Sequence, residues 1–263
     1  MKITLDYTKT LEQNASVYFD KAKKAKKKLV GLKEAMEITN KKLEKAEVEK
    51  TKAEQQAEID MEISKHKAKK EWYEKFRWFH TSKGHLVIGG RDATTNEIVI
   101  KKHTDKEDAV FHTDMAGSPF FVVKLGEDSI TDEEKEEVAQ ATASYSRAWS
   151  KGLGSSEVFC VSPEQVTKEA QAGESLPKGA FMIRGKTEYI RFDGMSVAIG
   201  FKDSKLIGGP VKSISPQTKT YIKIVQGDDK PGKIAKTIRS KLKGGDLDEI
   251  IRFLPAGNVG ISK

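Results

Sequence analysis

The organisation of this chain turns on EWYEKFRWFH, residues 71–80, in which five aromatic residues fall within eight positions. This density predicts a helix end anchored in a hydrophobic core. Residues 20–70, just upstream, are dominated by Lys, Glu and Ala and contain no Phe, Trp or Tyr. Nearly all Phe, Trp and Gly residues follow residue 71. A domain boundary near residue 70 is therefore expected, with a charged arm before it and a globular part after it.

The arm has the periodicity of a coiled coil. Apolar or small residues recur at alternating steps of four and three, at Tyr18, Ala22, Ala25, Leu29, Leu32, Met36, Thr39, Leu43 and Ala46. The strongest contacts of this seam are expected at Leu29, Leu32, Met36 and Leu43. Beyond Lys50 the register falters, and we predict an antiparallel hairpin. Because no Gly or Pro lies between Val48 and Gln56, a continuous helix that pairs with a second chain in a homodimer is the alternative.

The globular part combines strand-like and helical patterns. Strands are predicted at His85–Ile88, Glu97–His103, Ala109–Thr113, Phe120–Leu125, Glu157–Ser162, Phe181–Gly185, Ser196–Phe201 and Thr220–Val225. Helices are predicted at Thr131–Lys151, Lys233–Lys243 and Asp246–Phe253, the first because Thr131 and Glu134 form a capping box. Strand groups without strict alternation indicate the α+β class: an antiparallel-rich sheet with packed helices, preceded by a long α-helical coiled coil.

Composition points to anionic partners. The formal net charge is +8 over 263 residues, and clustered Lys and Arg gain free energy by displacing the counterions of phosphate chains. The only cysteine, Cys160, lies in an apolar run, so an internal disulfide or a multi-cysteine metal site is excluded. There is no apolar run long enough to span a bilayer and no signal-peptide pattern at the N-terminus, so a cytoplasmic protein that contacts no membrane is expected.

Several motifs, in order, resemble a known family. They are residues 70–79 (KEWYEKFRWF), 86–92 (LVIGGRD), 111–119 (FHTDMAGSP), 143–149 (ASYSRAW) and 176–181 (LPKGAF). Together they look like the NFACT-R domain of the NFACT family, here over residues 71–191. Residues 1–70 resemble the family's middle coiled coil. Residues 192–263 look like an archaeal-style α/β extension packed on the domain.

The resemblance implies a role in ribosome-associated quality control. Family members bind the large ribosomal subunit obstructed by peptidyl-tRNA, recruit tRNA and support template-free C-terminal tailing of the stalled chain. The partners implied are rRNA of the large subunit and tRNA; an N-terminal half and a ubiquitin-independent quality-control factor are further candidates. The family's N-terminal domain and helix-hairpin-helix segment have no counterpart in this sequence, which is then the C-terminal half of a longer protein or of a split homologue. Tailing by this chain alone is not expected.

Basic residues near the motifs are the candidates for RNA contact. They are Arg77, Lys83, Arg91, Lys101, Lys124, Arg147 and Lys151, together with His112. A solvated charge or surface ion pair is the alternative interpretation for each of them. Gly89 and Gly90 permit positive φ and close approach to a ligand, or form a plain turn in which Asp92 holds Arg91. His112 and Asp114 share one strand face, where the carboxylate could orient the imidazole.

No enzyme site is expected. The segment GDDKPGKI, residues 227–234, matches a nucleotide-binding pattern, yet Pro231 removes a backbone N–H and Ile234 replaces the hydroxyl that would hold magnesium. We therefore predict a binding module without cofactor, metal or catalytic residues. The alternative from another class is a coiled-coil scaffold that binds only proteins through its seam.

Overall fold

The computed structural model of the protein describes residues 3–65, 71–169 and 176–262, with the backbone alone for residues 52–65. The chain divides into two compact units, residues 1–67 and residues 68–263, each with its own architecture. Within the described ranges, no helix is long and apolar enough to cross a membrane.

A single helix makes up nearly all of the first unit. Helix α1 (Leu11–Lys65) runs for 55 residues without a break. The segment before it is tied to its first turns by Asn14, whose side chain accepts from the Asp6 N–H and donates to the Asp6 carbonyl, each at 2.9 Å. The predicted antiparallel hairpin is therefore wrong. With no Gly or Pro between Val48 and Gln56, nothing interrupts the i to i−4 hydrogen bonds at the position of the expected turn.

The predicted seam of α1 is exposed. The side chains of Leu29, Leu32, Met36 and Leu43 have exposed fractions between 58% and 62%. A helix of this kind gains most of its stability when a partner covers its apolar stripe. Pairing through the seam stays a prediction.

A six-stranded antiparallel sheet forms the centre of the second unit. Its strands are β1 (Arg77–His80), β2 (Leu86–Gly89), β3 (Ala109–Thr113), β4 (Phe121–Val123), β5 (Val158–Val161) and β8 (Glu188–Ile190). They lie side by side in the order β1-β2-β4-β3-β5-β8, and every neighbouring pair is antiparallel. Two short strands, β6 (Val166–Thr167) and β7 (Met182–Ile183), pair separately.

A second antiparallel sheet has four strands. They are β9 (Val197–Lys202), β10 (Lys205–Gly209), β11 (Tyr221–Asp229) and β12 (Val259–Ile261), in the order β10-β9-β11-β12. The buried residues of both sheets belong to one continuous hydrophobic core, which runs from Phe121 and Val110 in the first sheet to Ile199 and Ile224 in the second. The two sheets therefore stabilise each other.

Six helices complete the described part of the second unit. They are α2 (Ala93–Lys102), α3 (Asp132–Ser144), α4 (Arg147–Ser150), α5 (Val211–Ile214), α6 (Pro231–Leu242) and α7 (Leu247–Phe253). Helix α3 packs on β3 and β5, and α6 and α7 pack on the second sheet. The predicted α+β class, with antiparallel sheets and packed helices after a long helix, is confirmed.

One predicted strand is a helix. Residues 97–102 lie in α2, and His103 is the residue that caps its C-terminal end. The β-branched residues in this stretch favour a strand, but Asp92 starts a helix instead. The Asp92 carboxylate accepts from the Thr95 N–H at 2.8 Å, and the Thr95 hydroxyl oxygen accepts from the Asp92 N–H at 2.9 Å. This capping box supplies partners for the free amides of the first turn, and so it overrides the strand propensity.

The predicted helix at Thr131–Lys151 is two helices. Its start is correct, since Thr131 forms the expected capping box with Glu134. Helix α3 ends at Ser144, and the Ser146 hydroxyl oxygen accepts from the Ala148 N–H at 3.1 Å to begin α4. A serine cap in mid-sequence therefore breaks the helix beside Tyr145.

The aromatic stretch at residues 71–80 does anchor a core, but it is not a helix end. A single 3-10 turn, Trp72–Lys75, leads directly into strand β1, and Phe76 and Phe79 are buried. The other predicted strands fall on β2, β3, β4, β5, β7, β9 and β11, and the last two predicted helices fall on α6 and α7.

Candidate nucleic-acid interface

The second unit has a concave site with a cavity volume of about 570 Å³. Its walls are formed by β1, by the loop from Gly90 into the start of α2, by the segment that links β3 to β4, and by residues 177–183. Apart from β1, these segments are loops or the ends of strands and helices, where binding residues are commonly placed.

Two arginines line the buried end of this cavity. Arg77 lies on β1, and Arg91 follows β2 after Gly90. In each guanidinium one nitrogen, Nη1 of Arg77 and Nε of Arg91, is shielded from solvent and has no hydrogen-bond partner. Among the described residues, no carboxylate forms an ion pair with either side chain. A partly buried cation without a partner is costly, and an anion in the cavity would relieve that cost.

The electrostatics of the two arginines support this description. Burial lowers the pKa of Arg77 below its usual range. The pKa of Arg91 is lowered to about 10, chiefly by burial and further by the positive charges of Arg77 and Arg252. The cations at this end of the cavity therefore repel one another in the absence of an anion.

Tyr145 explains why Arg77 is held there. The guanidinium carbon of Arg77 lies 4.2 Å from the centre of the Tyr145 ring, which is a favourable cation–π distance. The Tyr145 hydroxyl donates to the carbonyl of Phe253 at 2.7 Å, so the ring is fixed from the side of α7. The break between α3 and α4 thus places an aromatic platform under an arginine from β1.

The two glycines at the end of β2, Gly89 and Gly90, serve packing. Neither Gly89 nor Gly90 has a positive φ. A Cβ on Gly90 would lie 1.8 Å from Oδ1 of Asn96, which accepts from the Phe120 N–H at 3.1 Å. The expected positive φ and the expected contact between Asp92 and Arg91 are therefore both wrong, because the space is needed by Asn96 and the Asp92 carboxylate caps α2.

His112 contributes ring surface to the cavity, not charge. Its ring is stacked on Phe120 with 4.0 Å between centroids, and its Nε2–H donates to the Ser118 carbonyl at 3.2 Å. Burial lowers its pKa to about 4, so the imidazole is neutral near pH 7. Asp114 accepts from the Tyr189 hydroxyl at 3.0 Å. The expected His112–Asp114 pair is not formed, because the Ser118 carbonyl orients the imidazole instead.

The other predicted RNA contacts lie outside the cavity. Lys83, Lys101 and Lys124 have carboxylate partners at Nζ–O distances of 3.6, 2.7 and 2.6 Å. Arg147 is exposed and packs over Gly117 at the rim of the cavity, and Lys151 is exposed at the end of α4. The structure therefore brings together Arg77, Arg91 and His112, with Arg147 close by, and leaves the other four basic residues on separate surfaces.

Some residues of the site were not predicted from sequence. Lys178 lines the cavity, and the charge of Arg252 acts on Arg91. Both occur in segments that carry the family resemblance, but nothing in their spacing indicates a shared site. Tyr145 lies in the predicted helix Thr131–Lys151 and in the motif at residues 143–149, and neither marks it as part of this site.

Other side chains bear on metal, redox and nucleotide chemistry. Within the described ranges, no group of three or more His, Cys, Asp and Glu side chains is placed to hold a metal ion. Burial raises the pKa of Cys160 to about 12, so its thiol is protonated and unreactive near pH 7. Lys233, in the first turn of α6, pairs with Asp229 at an Nζ–Oδ1 distance of 2.6 Å.

Comparisons with known proteins agree with this description. Residues 75–185 match the family model described as NFACT protein RNA binding domain. The archaeal Rqc2 homolog aRqcH of Methanocaldococcus jannaschii is 41% identical over 207 residues, which are 76% of this chain and 31% of that protein. The human ribosome quality control complex subunit NEMF is 37% identical over 180 residues, which are 67% of this chain and 16% of that protein.

A fission-yeast relative and a solved structure are also similar. Ribosome quality control complex subunit 2 of Schizosaccharomyces pombe is 36% identical over 122 residues, 45% of this chain and 12% of that protein. The solved C-terminal part of the fibronectin/fibrinogen-binding protein of Streptococcus suis is 19% identical, covers 49% of each chain and has a TM-score of 0.38, a likeness that supports no conclusion. The chain spans about a third or less of the length of these curated relatives. With the motifs, the matched RNA-binding domain and the archaeal relative in agreement, the chain belongs to the NFACT family.

Proposed function

We propose that this chain is the RNA-binding part of a ribosome quality control factor. In this role it recognises the stalled large subunit that carries peptidyl-tRNA, and it supports C-terminal tailing of the nascent chain. Two findings support the proposal: the match to an RNA-binding domain, and relatives whose names place them in ribosome quality control complexes. Its partners would be rRNA and tRNA on ribosomes in the cytoplasm, and the family's N-terminal domain or a further quality-control factor would join it there.

The observation that carries the proposal is the arginine pair in the cavity. Arg77 and Arg91 line a concave site without a carboxylate partner among the described residues, whereas Lys83, Lys101 and Lys124 are paired. Arginine binds phosphate oxygens with a planar fork of N–H donors. RNA supplies such oxygens, and single-stranded or irregular RNA can enter a concave site.

The proposed role is binding, not catalysis. The neutral imidazole of His112 donates to a backbone carbonyl, and the described part of the cavity presents no nucleophile beside a base. Lys233 pairs with Asp229, which suits a structural turn better than a nucleotide loop. Because the family's N-terminal domain lies outside this sequence, tailing by the chain alone is not part of the proposal.

The test is a salt series of RNA binding. The purified chain is titrated into labelled tRNA and, separately, into large ribosomal subunits, from about 50 to about 300 mM KCl. Binding should weaken steeply with salt. The variant Arg91→Glu should bind about tenfold more weakly and reduce the slope of log K against log salt by about one, because one phosphate contact is lost.

A matched control separates the site from net charge. Lys106→Glu makes the same change of charge in the exposed turn before β3, at the end of that strand away from the cavity. Lys106→Glu should change the affinity for RNA by less than about threefold, because a single solvent-exposed charge contributes little free energy. Equal losses in the two variants would mean that the cavity is not the site, and absence of RNA binding at low salt would refute the proposal as a whole.

The exposed seam of α1 favours a second candidate function. A coiled-coil scaffold that binds only proteins would use Leu29, Leu32, Met36 and Leu43, whose side chains are exposed in this structure. Sedimentation of the wild type against Leu32→Asp tests it. A dimer that dissociates in the variant, with no RNA retained by either protein, would favour the scaffold.

A further inference from the structure

Buried residues form the wall behind the arginine end of the cavity. Tyr145, on which Arg77 is stacked, is only 7% exposed, and Nη1 of Arg77 has no contact with solvent. Segments from β1, from the loop after β2 and from the Gly117–Phe120 region meet here. A ligand at this end must therefore enter from the open side.

We propose that this buried end binds a phosphate monoester at the end of an RNA strand, with the terminal nucleoside in the rest of the cavity. This inference rests on the proposed RNA-binding function and specifies which part of an RNA the cavity takes. It adds a preference for chain ends to a domain that could otherwise bind any phosphate along a strand.

Charge is the first reason for a monoester. Arg77 and Arg91 place two positive charges at the buried end, and Arg252 adds its field to Arg91. An internal phosphodiester brings one negative charge, whereas a terminal phosphate brings about 1.5 to 2 at pH 7. The more highly charged group therefore balances the pair more completely.

The acidic residues of the cavity offset the arginines only in part: Asp92 raises the pKa of Arg91, but burial and the charges of Arg77 and Arg252 lower it further. The Asp92 carboxylate accepts from the amide of Thr95 at the start of α2, and Asp114 accepts from the hydroxyl of Tyr189. Lys178, which also lines the cavity, lowers the pKa of Asp92. The site as a whole thus retains excess positive charge.

Chain path is the second reason. An internal phosphate at the buried end would require the RNA strand to enter and to leave past the same walls, and would bring two neighbouring nucleosides with it. A terminal phosphate needs a single exit. Since Tyr145 closes the arginine end, a strand end fits the geometry with less displacement of protein.

Volume accounts for the nucleoside. The cavity of about 570 Å³ is in the range of about 300–1,000 Å³ that holds small organic ligands. Its walls also include Phe181 and Ile183, both of which are only partly buried. Apolar and aromatic walls of this kind favour the flat face of a base over water. Inorganic phosphate alone would leave this part of the cavity unfilled.

The experiment compares RNAs that differ by one phosphate. Three single-stranded RNAs of one sequence, about twelve nucleotides long, carry a 5′-phosphate, a 3′-phosphate, or hydroxyls at both ends, and their binding to the full chain is followed by fluorescence anisotropy. One of the two terminal phosphates should lower Kd at least tenfold, or about 1.4 kcal/mol. The ratio of the Kd of the RNA with hydroxyl ends to the Kd of the preferred phosphorylated RNA should fall below about threefold in Arg91→Gln, which removes a charged hydrogen-bond donor. The same fall is expected in Arg252→Gln, which removes a nearby positive charge at an exposed residue.

The controls separate failure of this inference from failure of the proposed function. Lys106→Gln should keep the full ratio, and circular dichroism should show that every variant is folded. If all three RNAs bind with the same Kd within about twofold, less than 0.5 kcal/mol, while binding stays salt-dependent, the inference is wrong and RNA binding stands. If no RNA binds at low salt, the proposed function itself fails.

Competition identifies the source of the phosphate. Adenosine 5′-monophosphate and inorganic phosphate are added separately to the complex with the preferred phosphorylated RNA. Weak displacement by the mononucleotide, and weaker displacement by phosphate, would support a strand end as the ligand. Displacement by the mononucleotide at the same concentration as the phosphorylated RNA would show that the cavity binds free nucleotides, and would overturn the assignment to RNA ends.

Discussion

Replacing Arg91 with Met should make the protein more stable while weakening its binding to RNA. Arg91 is partly buried, its Nε has no partner, and its pKa is lowered from 12.5 to about 10. At about 1.36 kcal/mol per pKa unit, this corresponds to about 3 kcal/mol of unfavourable interaction of the charged form in the folded state. Because solvent reaches the side chain, screening reduces the expected gain to about 1–2 kcal/mol. Methionine keeps the unbranched apolar stem and removes the charge.

The assay is urea unfolding followed by tryptophan fluorescence. All three tryptophans, at positions 72, 78 and 149, lie in the second unit, so the signal reports the unfolding of that unit and not of α1. The unfolding midpoint of Arg91→Met should rise at an unchanged m value. Its affinity for tRNA at low salt should fall about tenfold.

Two observations would refute this reasoning. A decrease of about 1 kcal/mol or more in the free energy of unfolding of Arg91→Met would show that the Arg91 guanidinium has a partner in the folded protein, since removing a paired buried charge is strongly destabilising. Lys106→Met, a matched change at an exposed turn, should alter stability by less than about 0.5 kcal/mol. Added phosphate should stabilise the wild type more than Arg91→Met, and equal stabilisation would contradict an anion site at Arg91.

Two further predictions concern the framework of the domain. His85 lies with Nδ1 2.7 Å from the Glu134 carboxylate, which raises the pKa of His85 above 6.5. The stabilisation of the folded state by protonated His85 is therefore complete below pH 6.5 and is lost as the pH rises through the folded-state pKa. His85→Gln should lower the free energy of unfolding by about 1–2 kcal/mol near pH 5.5 and by less near pH 9. Urea unfolding at both pH values measures this difference. Tyr145→Phe removes the hydroxyl that donates to Phe253 but keeps the ring under Arg77. Thermal unfolding should show a loss of about 1–3 kcal/mol, whereas RNA affinity should change less than about threefold.

Local sequence patterns predicted most elements of the second unit. The Thr131–Glu134 capping box marked the start of α3, and alternating apolar residues marked strands such as β3. The errors arose where one local preference competed with another. The Asp92 cap outweighed the β-branched residues of α2, and the Ser146 cap broke a helix that the apolar pattern would have continued.

The sequence by itself determined the α+β class, the helical character of the N-terminal arm and the family, because composition, periodicity and ordered motifs are all local properties of the chain; whether the arm is a hairpin or one helix it left open. Only the tertiary structure decided which basic residues share a site. Arg77 and Arg91 meet Tyr145 because an antiparallel sheet and a helix break bring together segments that lie far apart in sequence. Whether an arginine is paired or unpaired depends on the burial of its neighbours and on where the carboxylates of other segments fall, and no local pattern contains that information.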